Sequence, residues 1–363
     1  MRIALVHDWL TDMGGAERVV QTFTEIYPDA PLFVSIADHK RLPDFFKSKN
    51  IKTSFLQKLP RFLRKKHRNL FPLYPFAFES FDFSGFDVVL SSTVFGGKGI
   101  ITGANTKHIC YCHTSTRYFW EYQNGYTTRF GRIKKAVYSV LCHWLRMWDY
   151  LAAQRVDYFI ANSSVVQKRI AKTYRKESVV VYPPVRCSKF LPSETDGDYY
   201  LVVSRFVEYK RVDLAIKACN ELGRKLIVVG SGQEGKNLKK LVGKTVQFIT
   251  STSDEQVVKL MSECKALLFP VEEDFGIVPV EVMSCGRPVI AFGKGGALDT
   301  VIDGKTGVLF DEQTVESLKG AIEKFEGMKF DKQAIREHAL KFDESVFAER
   351  IAEFVKNVAE GGC

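Results

Sequence analysis

A chain of 363 residues, 45% hydrophobic and 26% charged, is too long for one hydrophobic core and too apolar for a disordered polymer, so two soluble domains of ordinary size are expected. Its net charge of +10 is unevenly spread: residues 1 to 190 carry 29 Lys and Arg against 14 Asp and Glu, net +15, and the remainder carries 23 against 28, net −5. The basic first half implies an anionic partner, nucleic acid or membrane surface, while eight cysteines without paired spacing exclude a disulfide-stapled scaffold.

The chain opens Met1-Arg-Ile-Ala-Leu-Val, a charged residue before a short apolar run and not the long apolar region of a signal peptide. No run of about 18 apolar residues follows, so a cytoplasmic protein without a membrane span is expected. Ile3 to His7 reads as a buried strand, and Asp12-Met-Gly14-Gly15-Ala-Glu17-Arg-Val as a glycine turn that opens a helix. The spacing is not G-x-G-x-x-G, which disfavours a nicotinamide dinucleotide. Residues 55 to 76, Phe-Leu-Gln-Lys-Leu-Pro-Arg-Phe-Leu-Arg-Lys-Lys-His-Arg-Asn-Leu-Phe-Pro-Leu-Tyr-Pro-Phe, mix basic with aromatic side chains. Such a segment suits the inner face of an anionic membrane; nothing around it resembles an RNA-binding fold, so no nucleic acid is expected.

Val88 to Ser91, His108 to Cys112 and Tyr158 to Ala161 continue the first series of strands. Cys110 and Cys112 alternate onto one strand face without a second ligand pair, so no metal site is expected there. His113, just past a strand's carboxyl end, falls where ligands bind in open α/β sheets, and Asn162-Ser163 occupies the same kind of place after the next strand, although it also suits a helix cap. Val181-Tyr-Pro-Pro-Val-Arg and Pro192-Ser-Glu-Thr-Asp-Gly-Asp make the linker. Asp196-Gly-Asp198 within it reads as a turn and not as a metal-binding pair, because it precedes a strand.

A second series runs through Tyr200 to Ser204, Leu226 to Gly230, Val246 to Ile249, Ala266 to Phe269 and Pro288 to Ala291. Arg205 and Lys210 lie on a basic turn between the first of these strands and a helix, and Gly230-Ser-Gly232 follows the second. After the fourth comes Glu273-Asp-Phe-Gly-Ile-Val-Pro-Val-Glu281, two glutamates across a strand-loop-helix junction. The amides of Gly276, Ile277 and Val278 would open that helix and favour a phosphate, leaving one carboxylate for sugar hydroxyls and the other for a ribose. From Ser345 to Val358, apolar residues at helical spacing predict a terminal helix packed back on the body.

The glutamate pair, with Cys285-Gly-Arg-Pro-Val-Ile-Ala beyond it, resembles the E-x7-E element of retaining glycosyltransferases of the GT-B architecture, family 4 or group 1, in their mannosyltransferase-like branch. The resemblance implies two Rossmann-like doubly wound α/β domains facing across a cleft: an acceptor domain over residues 1–186, a donor domain over 187–340 and a terminal helix over 341–363. It assigns Glu273 to the donor sugar and Glu281 to the ribose. Arg205 and Lys210 match the R-x4-K pair that holds the donor diphosphate; Gly14 and Gly15 match the glycine loop that approaches diphosphate and sugar. Gly230 matches a nucleotide-side loop, Asn162 an Asn-Ser pair near the cleft, and His113 the histidine of a C-H-T-P-x-R-Y-x-W stretch that approaches the sugar, with Ser115 in place of the proline.

What this implies is retaining, metal-independent transfer of mannose from GDP-mannose to a lipid-linked or polysaccharide acceptor, with no cofactor. Val6-His-Asp-Trp-Leu points to the mannose branch by resemblance alone. A UDP-sugar such as UDP-glucose is the alternative donor. A sugar-nucleotide epimerase or binding protein of the same fold is the rival, disfavoured because both cations accompany both glutamates.

Overall fold

Runs such as Ile3-Ala-Leu-Val-His7 are apolar at successive positions, so they bury both sides of their pleat; such strands belong inside parallel sheets covered by helices on both faces. A computed structural model of the chain describes residues 1–121 and 131–361. It divides into two compact units, residues 1–184 with 347–363, and residues 185–346.

The first unit holds a parallel sheet of seven strands, β1 Ile3–His7, β2 Leu32–Val34, β3 Ile51–Thr53, β4 Val88–Thr93, β5 Lys107–Cys112, β6 Tyr158–Ala161 and β7 Ser178–Val180, in the order β3-β2-β1-β4-β5-β6-β7. The second holds six, β8 Tyr200–Val203, β9 Leu226–Val229, β10 Val246–Ile249, β11 Ala266–Phe269, β12 Val289–Phe292 and β13 Gly307–Phe310, ordered β10-β9-β8-β11-β12-β13. In each sheet the winding reverses once, between β1 and β4 and between β8 and β11. Helices leave in opposite directions there and open a crevice at the strands' carboxyl ends.

The helices that matter below are α1 Gly15–Ile26, α2 Arg132–Gln154 and α3 Ser164–Tyr174 in the first unit. The second unit contains α4 Val212–Leu222, α5 Asp254–Glu263, α6 Ile277–Ser284, α7 Val315–Glu326 and α8 Lys332–Leu340. The last, α9 Glu344–Ala359, joins the first unit from Phe347 onward.

Alternation along β1 and β4 sends Ile3, Leu5, Val88 and Leu90 to one face, where they meet Val20 and Phe23 of α1 and Phe347, Ile351 and Val355 of α9. Ala4, Val6 and Val89 point to the other face, against Tyr74, Phe78, Phe95 and Leu145. The terminal helix thus completes a core layer, with Phe347 stacked 5.8 Å from Phe23 and edge-on 5.6 Å from Tyr111.

Four strands escape the sequence pattern: β2, β3, β7 and β13. Three of them have only three residues, and β3 and β7 are edge strands with half-exposed patterns, so neither length nor alternation marks them.

Candidate functional site

In the first unit, the strand register lines up the sites singled out by sequence. His7 lies opposite Ser92, and Cys112 opposite both Thr93 and Ala161, so the residues just past β5 and β6 become neighbours. Asn162 Nδ2 donates to the carbonyl of His113 at 2.9 Å, and the Ser163 side chain caps α3. His113 Nε2 lies 2.8 Å from Ser92 Oγ, while the Ser92 carbonyl is 2.8 Å from His7 Nδ1. His7 Nε2 is 3.6 Å from Glu17 Oε1, and Gly14 caps α1 so closely over Glu17 that a Cβ would lie 2.9 Å from its carboxylate.

Two histidines in one buried row cannot both be charged. Burial disfavours the His7 imidazolium, but the Glu17 carboxylate outweighs it and raises the pKa. Burial, seconded by the charge on His7, pushes His113 down to about 4. His113 is therefore a neutral imidazole at neutral pH. Its chain neighbours are held by a second buried group: Lys98 Nζ donates to Asp149 Oδ1 at 2.7 Å, and Asp149 also accepts from Thr116 Oγ1, Trp120 Nε1 and Tyr174 OH.

Sequence reasoning did not single out the Asp8 carboxylate, which accepts from Thr93 Oγ1 and from the amides of Val94, Phe95 and Gly97. Nor did it give Glu17 and Ser92 a role. The partners of Asp8 lie far along the chain and are joined by the β1–β4 pairing, Ser92 reaches His113 through the β4–β5 pairing, and Glu17 meets His7 across the turn between β1 and α1. Past the ends of β1 and β2 lies a cavity of about 320 Å³ walled by Lys40, Arg41, Arg61, Arg64 and Lys65, with Asp12 and Asp38 also on its lining. Part of the basic run expected to face a membrane therefore faces this cavity.

In the second unit, the turn after β8 and the loop after β11 flank the reversal of the sheet. Lys210 Nζ is in direct contact with the carboxylate of Glu273. Burial and the Arg205 cation push the Lys210 ammonium down to about 8, partly countered by Asp274. The Glu273 contact also opposes that shift, since an adjoining anion favours the charged amine. Arg205 is exposed, its guanidinium 3.5 Å from Tyr209 OH.

The Glu273 carbonyl accepts from the Gly296 amide at 2.8 Å, so the loop after β12, Gly293-Lys-Gly-Gly296, holds the glutamate in place. Sequence reasoning missed that loop, although its glycines follow a strand. Gly276 takes φ +89° as the N-cap of α6, a conformation that glycine adopts without strain, and the helix starts at Ile277 and Val278 with no side-chain cap on its first amides. Glu281 sits inside α6, 5% exposed. Gly230 has φ +143°, and a Cβ there would strike the Ser204 carbonyl; it is needed so that its loop can pack on the turn bearing Arg205.

Asp196 pairs with Arg287 and Lys332, and Asp198 with Lys225 and Lys265. These carboxylates fasten the start of the second unit. Among the described residues, no group of three or more His, Cys, Asp or Glu side chains is arranged to hold a metal ion. Burial drives Cys110 up to about 12 and Cys112 well above its ordinary range, so both remain thiols.

Two family models match the chain nearly end to end: Glycosyltransferase Family 4 over residues 13–189 and Glycosyl transferases group 1 over residues 187–342. The human alpha-1,3/1,6-mannosyltransferase ALG2 is 28% identical over 273 residues, 65% of this chain and 61% of that protein. The aligned region thus spans about three fifths of this relative. A GDP-mannose-dependent alpha-(1-6)-phosphatidylinositol monomannoside mannosyltransferase of Mycolicibacterium smegmatis is 32% identical over 146 residues, 35% of this chain and 38% of the relative. Among solved structures, Anabaena HepE in complex with UDP and glucose superimposes with a TM-score of 0.68 at 18% identity, covering 98% of this chain and 99% of that one. At that identity the likeness concerns the fold, which is GT-B.

Proposed function

We propose, from the premise that this chain belongs to the family 4, group 1 glycosyltransferases, that it moves a sugar from a nucleoside diphosphate donor to an acceptor hydroxyl with retention at the anomeric carbon. The observation that supports this reading most directly is the meeting of Lys210 with Glu273 where the second sheet reverses, on the turn that also carries Arg205. On donor binding, the diphosphate takes the place of the carboxylate on Lys210. Glu273 is then free to accept hydrogen bonds from sugar hydroxyls.

As the glycosidic bond breaks, negative charge grows on the leaving diphosphate, and Arg205, Lys210 and the free amides at the start of α6 stabilise it. The acceptor hydroxyl attacks from the face the diphosphate leaves and gives its proton to the leaving phosphate. Charge and atoms balance without a covalent nucleophile, and no metal is assigned to the step. His113, neutral and fixed by Ser92 and Asn162, is the first-unit group assigned to the sugar.

Mannose from GDP-mannose is the donor we favour, in keeping with what the human and mycobacterial relatives are named for. UDP-glucose is the second reading, favoured by the UDP and glucose bound to HepE. For the acceptor, the cavity walled by Lys40, Arg41, Arg61, Arg64 and Lys65 suits a phosphate-bearing molecule, as a lipid-linked sugar is.

Differential thermal stabilisation tests the assignment, because a ligand that binds only the folded state raises its melting temperature by mass action. GDP-mannose should stabilise the chain more than UDP-glucose, and transfer to a lipid-linked acceptor should survive EDTA. Stabilisation by UDP-glucose alone would move the donor to the second reading. Loss of transfer in EDTA with recovery in Mn²⁺ would overturn the metal-free mechanism.

A further inference from the structure

Helix α2 buries Cys142, Leu145, Asp149, Ala152 and Ala153 along one stripe. Residues advance about 100° around a helix, so Ile133, Val137, Val140, Trp144, Met147 and Leu151, spaced alternately by four and three, form a second stripe diametrically opposite the first. That second stripe faces solvent: Ile133 is 82% exposed, Val140 71% and Leu151 61%. It runs about 27 Å. Phe76, 57% exposed, stacks on Trp144 at 6.4 Å and widens the apolar patch onto the neighbouring helix Tyr74–Glu79. Monomeric proteins rarely leave so long a run of large apolar side chains uncovered.

The charges select what covers it. Arg132, Lys134 and Lys135 at the start of α2 are all exposed, and the helix has one carboxylate, Asp149, which is fully buried against Lys98. Arg132 and Lys134 flank the exposed stripe at about 100° to either side, and a second copy packed on it by two-fold symmetry would bring them to the interface with no acid from α2 to meet them. An anionic bilayer meets them with phosphates. Trp144, Tyr150 and Met147 are side chains that the headgroup boundary accommodates, and among the described residues no helix is long and apolar enough to cross a membrane.

We propose that the outer face of α2, with Phe76, lies on an anionic lipid surface, its apolar stripe at the boundary of headgroups and acyl chains and the flanking Arg132 and Lys134 on lipid phosphates. The surface belongs to the first unit and the proposal stands whichever donor sugar is used. It shares only Phe76 with the contact expected through residues 55 to 76, of which Arg61, Arg64 and Lys65 wall the cavity.

The test is sedimentation of the full chain with vesicles of phosphatidylcholine alone or mixed with phosphatidylglycerol. Binding is expected to the mixed vesicles and to weaken with added salt. The double variant Val137→Asp, Val140→Asp should lower partitioning at least about tenfold, and Arg132→Glu with Lys134→Glu should abolish the preference for anionic lipid. Both should keep the wild-type melting temperature and its rise with nucleotide, because these side chains are exposed. The proposal fails if the wild-type chain stays in the supernatant with both kinds of vesicle, or if the variants bind as well as it does. It fails too if the Val137, Val140 variant converts a dimer to a monomer, which would give the face to a second copy.

Discussion

Lys210 and Glu273 meet directly in the second unit, although one was expected to hold a diphosphate and the other a sugar. Each meets the other's charge, so on the proposed reading donor binding would be an exchange of partners. The exchange has a pH signature. Burial and Arg205 push the Lys210 ammonium down to about 8 against the opposing pull of Glu273, and a bound diphosphate would favour its charge, so nucleotide binding and protonation should be linked. Affinity for GDP should hold near neutral pH and fall as pH rises past about 8, by at most about tenfold per unit. Calorimetric titrations from pH 7 upward measure this, and Lys210→Arg should flatten the decline. An equally steep fall in the arginine variant would remove Lys210 as its cause.

Turnover gives a separate handle on the same turn. Arg205→Ala and Lys210→Ala should each slow transfer by roughly tenfold to a hundredfold, the scale of a lost charged contact to the transition state. Arg205 is exposed, so its circular dichroism melt should change little, whereas loss of Lys210, in the short 3-10 turn Glu208–Lys210 and paired with Glu273, should lower the melt modestly without unfolding the chain. Wild-type rates in both variants would remove the cations from the mechanism.

The first unit should be acid-labile for a reason located at His113. A base whose folded pKa is depressed contributes stability that is complete above its unfolded pKa and is lost as pH falls through the folded one. For His113 the window runs from about 6.5 down to about 4, and the loss is at most about 3 kcal/mol. His108, pushed to about 3 by burial, acts in the same direction from the same starting pH and further down, whereas His7, raised by Glu17, loses its contribution as pH rises. Urea denaturation at neutral and mildly acid pH should show a smaller loss in His113→Asn than in the wild-type chain. Equal losses would mean that the imidazole stays neutral in neither or both states.

Lys98 and Asp149 are both fully buried, so removing one leaves the other's charge without its counter-ion. Lys98→Met should cost about 3–5 kcal/mol in urea denaturation. Adding Asp149→Leu should cost less than the two single changes summed, because the pair acts as one unit. Additivity would show that the hydroxyls and indole around Asp149 carry it without the lysine.

The interior strands of both sheets were legible because their residues are buried on both faces, which leaves unbroken apolar runs such as Leu226–Val229 and Ala266–Phe269. Residues placed by a single strand end were legible for the same reason: His113, Asn162, Arg205 and Glu273 each follow one. What sequence could not reveal was lateral. That Ser92 lies between two histidines, that Asp8 gathers the amides of Val94, Phe95 and Gly97, and that Lys210 reaches Glu273 depend on which strands are neighbours. Sequence reasoning did not single out helix α2, whose apolar periodicity falls partly on the face turned to solvent.

The paired glutamates divide the remaining work, and their positions say how. Glu273 lies on the loop, fixed through its carbonyl by Gly296 and in contact with Lys210, and on the proposed reading its carboxylate would be released when a diphosphate arrives. Glu281 is buried within α6, about one turn beyond the first amides of the helix, and is assigned to the ribose. A contact to sugar hydroxyls strengthens as the anomeric carbon gains positive character, so removing it lowers turnover; a ribose contact acts alike in ground and transition states, so removing it weakens donor binding. Glu273→Ala should therefore bind free GDP at least as well as the wild-type chain, since Lys210 no longer has to exchange partners, yet turn over slowly. Glu281→Ala should bind GDP more weakly by about 1.5–3 kcal/mol, the range of a charged hydrogen bond. Calorimetry of GDP with both variants separates the roles: a Glu273 variant that lost GDP while the Glu281 variant kept it would reverse the assignment.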